Sequence, residues 1–228
     1  MLIKSIEVAI AGGILCLDRV FLQAMISRPL IAGPIIGALL NDPYTGLIAG
    51  AFVELIWIDR LPIGNHIPPN GSVVAILITA GSILAGNQLG QLSQSLFVFA
   101  FLLFLPVGPI GKRVESLIKN SNNLLSEKAM EAARDGNIKG IFRLHISGLL
   151  KTFLSNIVLI FIPLIVGFAI LLWLYPLLPV VLLKALDYTY FVIPLVGVAV
   201  ALNTIKLRGT VPLFSGLFLI LTVIVNIF

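Results

Sequence analysis

The sequence predicts an all-α protein: a polytopic transmembrane helical bundle that contains a re-entrant or broken-helix segment. Of its 228 residues, 59% are hydrophobic and 11% are charged, and the mean hydropathy is +1.10. Soluble domains carry about 25% charged residues, so a water-soluble fold of this size would leave much apolar surface in water. A membrane-spanning helix needs about 20 apolar residues, and we expect about six to eight crossings in one integral membrane domain, residues 1–228.

Eight apolar stretches give the order of the expected helices: approximately 5–17, 20–40, 44–58, 72–88, 94–111, 147–175, 178–202 and 211–228. The first contains Glu7 and is not followed by a small-residue cleavage site, so we expect a retained helix rather than a signal peptide. Cys16 is the only cysteine, which excludes an intramolecular disulfide and favours a small buried side chain.

One polar stretch interrupts the apolar pattern at residues 112–146. Within it and just after it lie eight basic residues and four acids: Lys112, Arg113, Lys119, Lys128, Arg134, Lys139, Arg143 and Lys151, with Glu115, Glu127, Glu131 and Asp135. Much of the net charge of +5 therefore lies beside apolar spans, which indicates a cytoplasmic membrane-flanking loop rather than a nucleic-acid site. Its periodicity predicts an amphipathic surface helix that is capped by Asn120–Asn123 and ends at Gly136.

The segment 58–71 contains three prolines and two glycines, so no continuous helix is expected to run through it. It is flanked directly by apolar spans. Irregular backbone at membrane depth is tolerated where protein buries it or where it lines a wet cavity. A re-entrant or broken helix is therefore expected here, with a plain extramembrane connector as the alternative.

Glu54 is the most informative single residue, because it lies in an otherwise apolar run from Gly46 to Ile58. A carboxylate there costs roughly 2.5–3.5 kcal/mol unless it faces a cavity or a partner. We expect either a ligand-binding acid or a structural ion pair with Arg60 or Arg28. Trp57 is expected either to stack on a ligand or to anchor at the membrane interface.

The remaining charges of this half are expected mainly at helix ends or in pairs. On a helix, Asp18 and Arg19 would point to different faces, as would Asp59 and Arg60, so each should find its partner elsewhere. His66 is expected to make a ligand or structural hydrogen bond. The chain has no phosphate loop, zinc-binding helix or nucleophile elbow, and we expect neither an enzyme nor a metal or cofactor site.

Residues 28–71 carry a family resemblance. The glycines at 33, 37, 46 and 50 recur at the spacing of close helix packing. The run from Gly37 to Glu54, with Arg28-Pro29-Leu30 before it and Ile63-Gly64 and Pro68-Pro69 after it, resembles the signature of the IIC subunit of the mannose-family phosphotransferase system. The positions that keep the signature are Gly37, Asp42, Gly46, Gly50 and Glu54.

The resemblance implies a multi-pass sugar permease subunit in the bacterial inner membrane, in contact with membrane lipid. Its implied partners are a IID membrane subunit, with which it forms an oligomer, and the cytoplasmic IIB and IIA subunits that phosphorylate the sugar. Positions 41, 51, 52, 59, 65, 66 and 70 differ from the usual pattern, so the sugar, a hexose or an amino sugar, stays open.

On this interpretation the residues that bind the sugar are Glu54, Asp59, Asn65, His66 and Asn70. Asp18, Arg28, Asp42 and Trp57 support them. The alternatives are a regulatory relic that no longer transports, and a membrane-embedded enzyme acting on lipid-linked sugar through Asp59 and His66.

Overall fold

The computed structural model describes residues 1–60, 66–204 and 216, and the described part consists of helices joined by short connections. The helices are α1 (Leu2–Leu17), α2 (Pro29–Leu39), α3 (Pro43–Ile56), α4 (Gly71–Leu89), α5 (Gln94–Phe104), α6 (Val107–Arg134), α7 (Ile138–Leu174) and α8 (Val180–Thr204), with a 3₁₀ turn at Tyr175–Leu177. The predicted helical fold class is confirmed.

The core is built around α4. Nearly every residue of this helix is buried, and it packs against α2, α3, α5 and α7. Apolar side chains such as Ile76 and Leu77 are fully buried there and belong to the same core cluster as the aromatic side chains of α5. The helix begins where the Asn70 side chain accepts a hydrogen bond from the backbone N–H of Val73 at 3.2 Å.

The helices α2 and α3 form a tight antiparallel hairpin. A Cβ built on Gly33 or Gly46 would lie closer than 3.0 Å to the carbonyl oxygen of the other glycine, so the two backbones touch. The close packing expected from the glycine spacing is confirmed. The turn is closed by Asn41, whose φ of 65° suits asparagine, and by the Asp42 side chain, which caps α3.

Two predicted helices begin elsewhere than expected. The apolar stretch 20–40 is not one helix, because residues 18–28 form turns and α2 starts at Pro29. Residues 120–123 do not cap a new helix, because α6 runs unbroken from Val107 to Arg134. The predicted stop near Gly136 is confirmed: α6 ends two residues earlier and Gly136 has a φ of 66°.

Four helical segments of the described part are long and apolar enough to cross a membrane: α4, α5 together with α6, α7, and α8. This is fewer than the six to eight crossings expected. The helix α1 has 16 residues, α2 and α3 have 11 and 14, and the last expected crossing, 211–228, lies almost wholly outside the described residues.

Candidate functional site

A polar cavity lies where the ends of several helices meet. It has a volume of about 560 Å³, within the usual range for small-molecule sites. We call it the Glu54 cavity. Its charged walls are three acids and three arginines: Asp18, Glu54 and Glu115, with Arg19, Arg28 and Arg60.

Glu54 lies near the C-terminal end of α3, and its two oxygens have different surroundings. Oε1 accepts from Nε of Arg28, the capping position of α2, at 2.9 Å. Oε2 is buried and has no hydrogen-bond partner among the described residues. The predicted ion pair is present, but it occupies only one oxygen, and a cavity adjoins the pair. A buried acceptor without a partner is costly, so Oε2 is suited to receive a donor from a ligand.

Asp18 shapes the loop that closes one side of this cavity. It is buried, and its carboxylate accepts from the backbone N–H of Ala24 at 2.8 Å and from the N–H and hydroxyl of Ser27 at 3.1 Å each. Burial alone would raise the pKa of this carboxyl, but the hydrogen bonds from Ser27, Ala24 and Ile26 outweigh burial and leave the pKa below its ordinary value. Asp18 is therefore an ionised structural anchor.

Arg19 ties three elements together across the cavity wall. Its Nη1 lies 3.0 Å from Oε2 of Glu115 on α6, and its Nη2 donates to Oγ of Ser72 on α4 at 3.2 Å. The Ser72 hydroxyl in turn donates to the carbonyl of Ser27. Asp18 and Arg19 thus find separate partners, as expected.

Asp59 and Arg60, in contrast, pair with each other. Arg60 Nε lies 3.3 Å from Oδ2 of Asp59, so the expectation of separate partners is wrong for this pair. The reason is local: α3 ends at Ile56, and helical geometry no longer separates the two side chains. Residues 57–60 and 66–70 form no helix, which confirms the predicted break for the described part of 58–71.

The other predicted site residues are distributed over two adjoining cavities. Asp59 and His66 line a cavity of about 260 Å³ beside the first, and Trp57 lines both. The Trp57 ring packs against Gly108 at the start of α6. Asn70 and His66 line a third cavity of about 420 Å³. Asn65 lies outside the described residues.

Asp42 is not brought into this group. It lies at the opposite end of α3, 12 residues or about 18 Å from Glu54 along the helix axis. Its carboxylate accepts from the backbone N–H and the hydroxyl of Thr45 at 3.0 and 2.5 Å. Conversely, Arg19 and Glu115 line the Glu54 cavity, although neither was predicted to belong to the site. Their partnership spans 96 positions, and no local pattern reveals it.

Comparisons with known proteins agree with this architecture. The family model of the PTS system sorbose-specific IIC component matches residues 2–228. The mannose-specific EIIC component of Escherichia coli K12 is 26% identical over 189 residues, which are 82% of this chain and 68% of that protein. The fructose permease IIC component of Bacillus subtilis is 22% identical over 218 residues, or 96% and 78% of the two chains.

Two solved structures share the fold. One, described as a membrane protein, has a TM-score of 0.72 at 22% identity, and the other, the mannose transporter ManYZ in complex with microcin E492, has 0.64 at 23%. Each match covers 96% of this chain and 86% of the other. The resemblance noted in residues 28–71 is thereby confirmed: the chain belongs to the sorbose-specific IIC component family, the membrane permease subunits of the phosphotransferase system.

Proposed function

We propose that the Glu54 cavity binds a hexose or an amino sugar, which the chain then carries across the membrane for phosphorylation. The observation that supports this most directly is Glu54 in the wall of a cavity of about 560 Å³, with an Oε2 that has no hydrogen-bond partner in the described part of the chain. A carboxylate oxygen accepts a sugar hydroxyl in a strong, charge-assisted hydrogen bond. Arg28 holds the other oxygen and so fixes the orientation of the acid.

The protein partners in this proposal are those expected for a IIC subunit of the phosphotransferase system. The chain assembles with a IID membrane subunit, as the ManYZ complex suggests, and the cytoplasmic IIB and IIA subunits supply the phosphoryl group. The chain itself has no catalytic role in this proposal. In the described residues, no group of three or more His, Cys, Asp or Glu side chains is arranged to hold a metal ion.

The substrate class rests on the relatives. Their names include mannose, fructose, sorbose and N-acetylgalactosamine permeases. We therefore propose these four sugars as the panel in which the substrate or a close analogue is to be sought. His66, Asp59 and Asn70 line the adjoining cavities and would contact the sugar as it enters or leaves.

The test is Glu54→Gln in proteoliposomes that also contain the IID subunit, with IIB and IIA added. Glutamine keeps the shape but loses the charge. Because hydrogen bonds to charged groups contribute about 1.5–3 kcal/mol, we expect equilibrium binding of the preferred radiolabelled sugar to weaken about 10- to 100-fold, with uptake reduced accordingly.

The matched control is Glu7→Gln on α1. Glu7 is also an ion-paired glutamate, 2.8 Å from Lys4, but it lies outside the cavity. It should leave binding and uptake unchanged. Undiminished uptake by Glu54→Gln would remove Glu54 from the site. Sugar binding without any uptake by the complete wild-type assembly would favour the non-transporting alternative.

A further inference from the structure

The cavity of about 420 Å³ between α1, α6 and α7 has a character different from that of the Glu54 cavity. We call it the amide cavity. Five of its wall residues carry uncharged amide or hydroxyl side chains: Asn70, Asn122, Asn123, Thr152 and Asn156. Neutral amides and hydroxyls both donate and accept hydrogen bonds, as the hydroxyl groups of a sugar require.

Two of these residues lie in the long apolar helix α7. Thr152 and Asn156 are one turn apart on one face, and both are buried. Each side chain donates one hydrogen bond to the helix backbone. Thr152 Oγ1 donates to the carbonyl of Gly148 at 3.0 Å, and Asn156 Nδ2 donates to the carbonyl of Thr152 at 3.0 Å. Both side chains keep further hydrogen-bonding capacity: the acceptor oxygen of each, and the second amide N–H of Asn156.

A third residue adds an unused acceptor. Oδ1 of Asn122 on α6 is buried and makes no hydrogen bond within the part of the chain that the structure describes. It belongs to the wall of the amide cavity. A small turn of the Asn122 side chain would present this buried acceptor to a hydroxyl donor in the cavity.

The two cavities share a wall. Arg19 and Glu115 line both the Glu54 cavity and the amide cavity, and their side chains meet at 3.0 Å between them. These side chains keep 25% and 33% of their surface exposed. The pair is only partly buried and borders open space in both cavities, so its side chains have room to turn apart.

The amide cavity extends from this partition toward one end of the molecule. Along α6, Asn123 lies eight residues, about 12 Å, beyond Glu115 in the direction of the connection between α6 and α7. Lys and Arg residues of α6 and α7 flank that connection, and an excess of Lys and Arg marks the cytoplasmic side. The amide cavity thus lies between the Glu54 cavity and the side at which phosphorylation takes place in the proposed function.

We propose that the amide cavity is a second polyol-binding subsite, which receives the sugar from the Glu54 cavity when the Arg19–Glu115 pair opens. This inference rests on the proposed function. The two cavities differ in what they offer a hydroxyl group: Glu54 offers a carboxylate, the stronger kind of acceptor, whereas beyond the Arg19–Glu115 pair the amide cavity offers mainly neutral amides and hydroxyls, together with Lys119.

The experiment measures sugar binding and sugar uptake separately. Asn156→Leu and Thr152→Val are made in the full chain and reconstituted with the IID, IIB and IIA subunits. Equilibrium binding and initial uptake are then measured with radiolabelled mannose, fructose, sorbose and N-acetylgalactosamine. We expect binding to stay within about twofold of wild type, while uptake falls about tenfold for Asn156→Leu and about threefold for Thr152→Val, because a hydroxyl of the passing sugar loses its partner.

Thr189→Val is the matched control. Thr189 on α8 also donates to a carbonyl one turn back, that of Ala185 at 2.7 Å, but it is only partly buried and lines none of the three cavities. It removes the same hydroxyl from the same local bond and should leave uptake unchanged.

Unchanged uptake in both amide-cavity variants would overturn the second subsite while leaving the proposed function intact. Parallel loss of binding and uptake would also overturn it, because the two cavities would then form a single site. If Asn156→Leu does not fold, the isosteric Thr152→Val decides between these outcomes. A wild-type assembly that neither binds nor takes up any of the four sugars would refute the proposed function itself.

Discussion

At the scale of single residues, the ion pair between Glu54 and Arg28 explains how an acid is kept in an apolar helix. The guanidinium compensates the charge and leaves one oxygen with no partner among residues 1–60 and 66–204. A carboxylate with no counter-charge would be far more expensive in this environment and would tend to be neutralised. The pair therefore supplies a counter-charge to one carboxylate oxygen and leaves the other to accept from a ligand hydroxyl in the proposed function.

Replacing Asp18 with asparagine should destabilise the loop that its carboxylate anchors. In Asp18→Asn, one of the two oxygens becomes an NH₂ group that faces N–H donors of the loop, so at least one of the hydrogen bonds from Ala24 and Ser27 is lost. We expect the free energy of unfolding to fall by about 1–3 kcal/mol, since a buried donor is left unsatisfied. Thermal unfolding of the purified protein in detergent measures this.

The pH dependence of this difference has a definite sign. The pKa of Asp18 in the folded state lies below the ordinary value of 3.8, so its stabilising contribution is complete above about pH 4 and is lost as the pH falls through the folded-state pKa. The gap between wild type and Asp18→Asn should shrink in acid. Asp135→Asn, at an exposed turn, is the control. Equal stability of Asp18→Asn and wild type at pH 7 would contradict the anchoring role.

The sequence predicted residues of the candidate site more readily than the ion pairs that those residues form. Glu54 stood out because it is a lone acid in an apolar run, and Arg28 was one of two arginines expected to pair with it. The contact of Arg19 with Glu115 was beyond reach, because it depends on how α1 and α6 pack. The mutual pairing of Asp59 and Arg60 was missed because it depends on where α3 ends, and the ends of elements are poorly determined by sequence.

At the scale of elements, the α2–α3 hairpin is the part of the fold most sensitive to added volume. The two helices are about 17 and 21 Å long, shorter than the apolar thickness of a bilayer, so neither spans it alone. Their close contact at Gly33 and Gly46 places Arg28 and Glu54 at the same end of the hairpin. The glycines therefore set the geometry of the proposed site from a distance.

Gly46→Ala tests that contact. The added Cβ would meet the carbonyl oxygen of Gly33, a backbone atom that can move only if the helices separate. We expect a loss of about 3 kcal/mol in the free energy of unfolding, the upper end of the usual range for overpacking, together with weaker sugar binding. Thermal unfolding in detergent and equilibrium binding measure the two effects.

Gly148→Ala is the matched control for this substitution. It also lies inside a helix, α7, but the nearest atoms to its added Cβ are 3.7 Å away, an ordinary contact. Since alanine is the better helix former by up to about 1 kcal/mol, this variant should be as stable as wild type or slightly more stable. A Gly46→Ala protein as stable as Gly148→Ala would show that the hairpin has room.

Helix interiors could be predicted from the sequence, but several helix boundaries could not. The stretch 72–88 was assigned almost to the residue, because α4 is apolar throughout and is bounded by Asn70 and Gly90. The stretch 20–40 was not, since Val20, Phe21 and Leu22 are as apolar as a helix. The hydrogen bonds that Asp18 accepts from Ala24 and Ser27, which help to hold that loop in turns, leave no trace in the apolar pattern. Asn120–Asn123 were mistaken for a cap because their side chains suit both caps and solvated helix faces.

At the scale of the whole molecule, hydrogen bonds identify the two ends of the bundle. The hydroxyl of Tyr175 lies 2.7 and 2.9 Å from those of Ser93 and Ser95, so the α4–α5 and α7–α8 connections meet at one end. The helix α7 has 37 residues and is about 56 Å long, well above the apolar thickness of about 30 Å. Its start, with the end of α6, therefore extends beyond the membrane at the opposite end.

The distribution of basic residues indicates which end of the helix bundle faces the cytoplasm. The Lys and Arg excess of residues 112–151 predicts that the α6–α7 connection is cytoplasmic. Single cysteines are placed at exposed positions, Lys128→Cys near this connection and Gln91→Cys at the other end, in a Cys16→Ala background that removes the native thiol. A membrane-impermeant maleimide should label position 91 in whole cells and position 128 only in inverted vesicles. The reverse pattern would place the amide cavity on the outward side of the Glu54 cavity, and it would then be an entry route for the sugar rather than its exit.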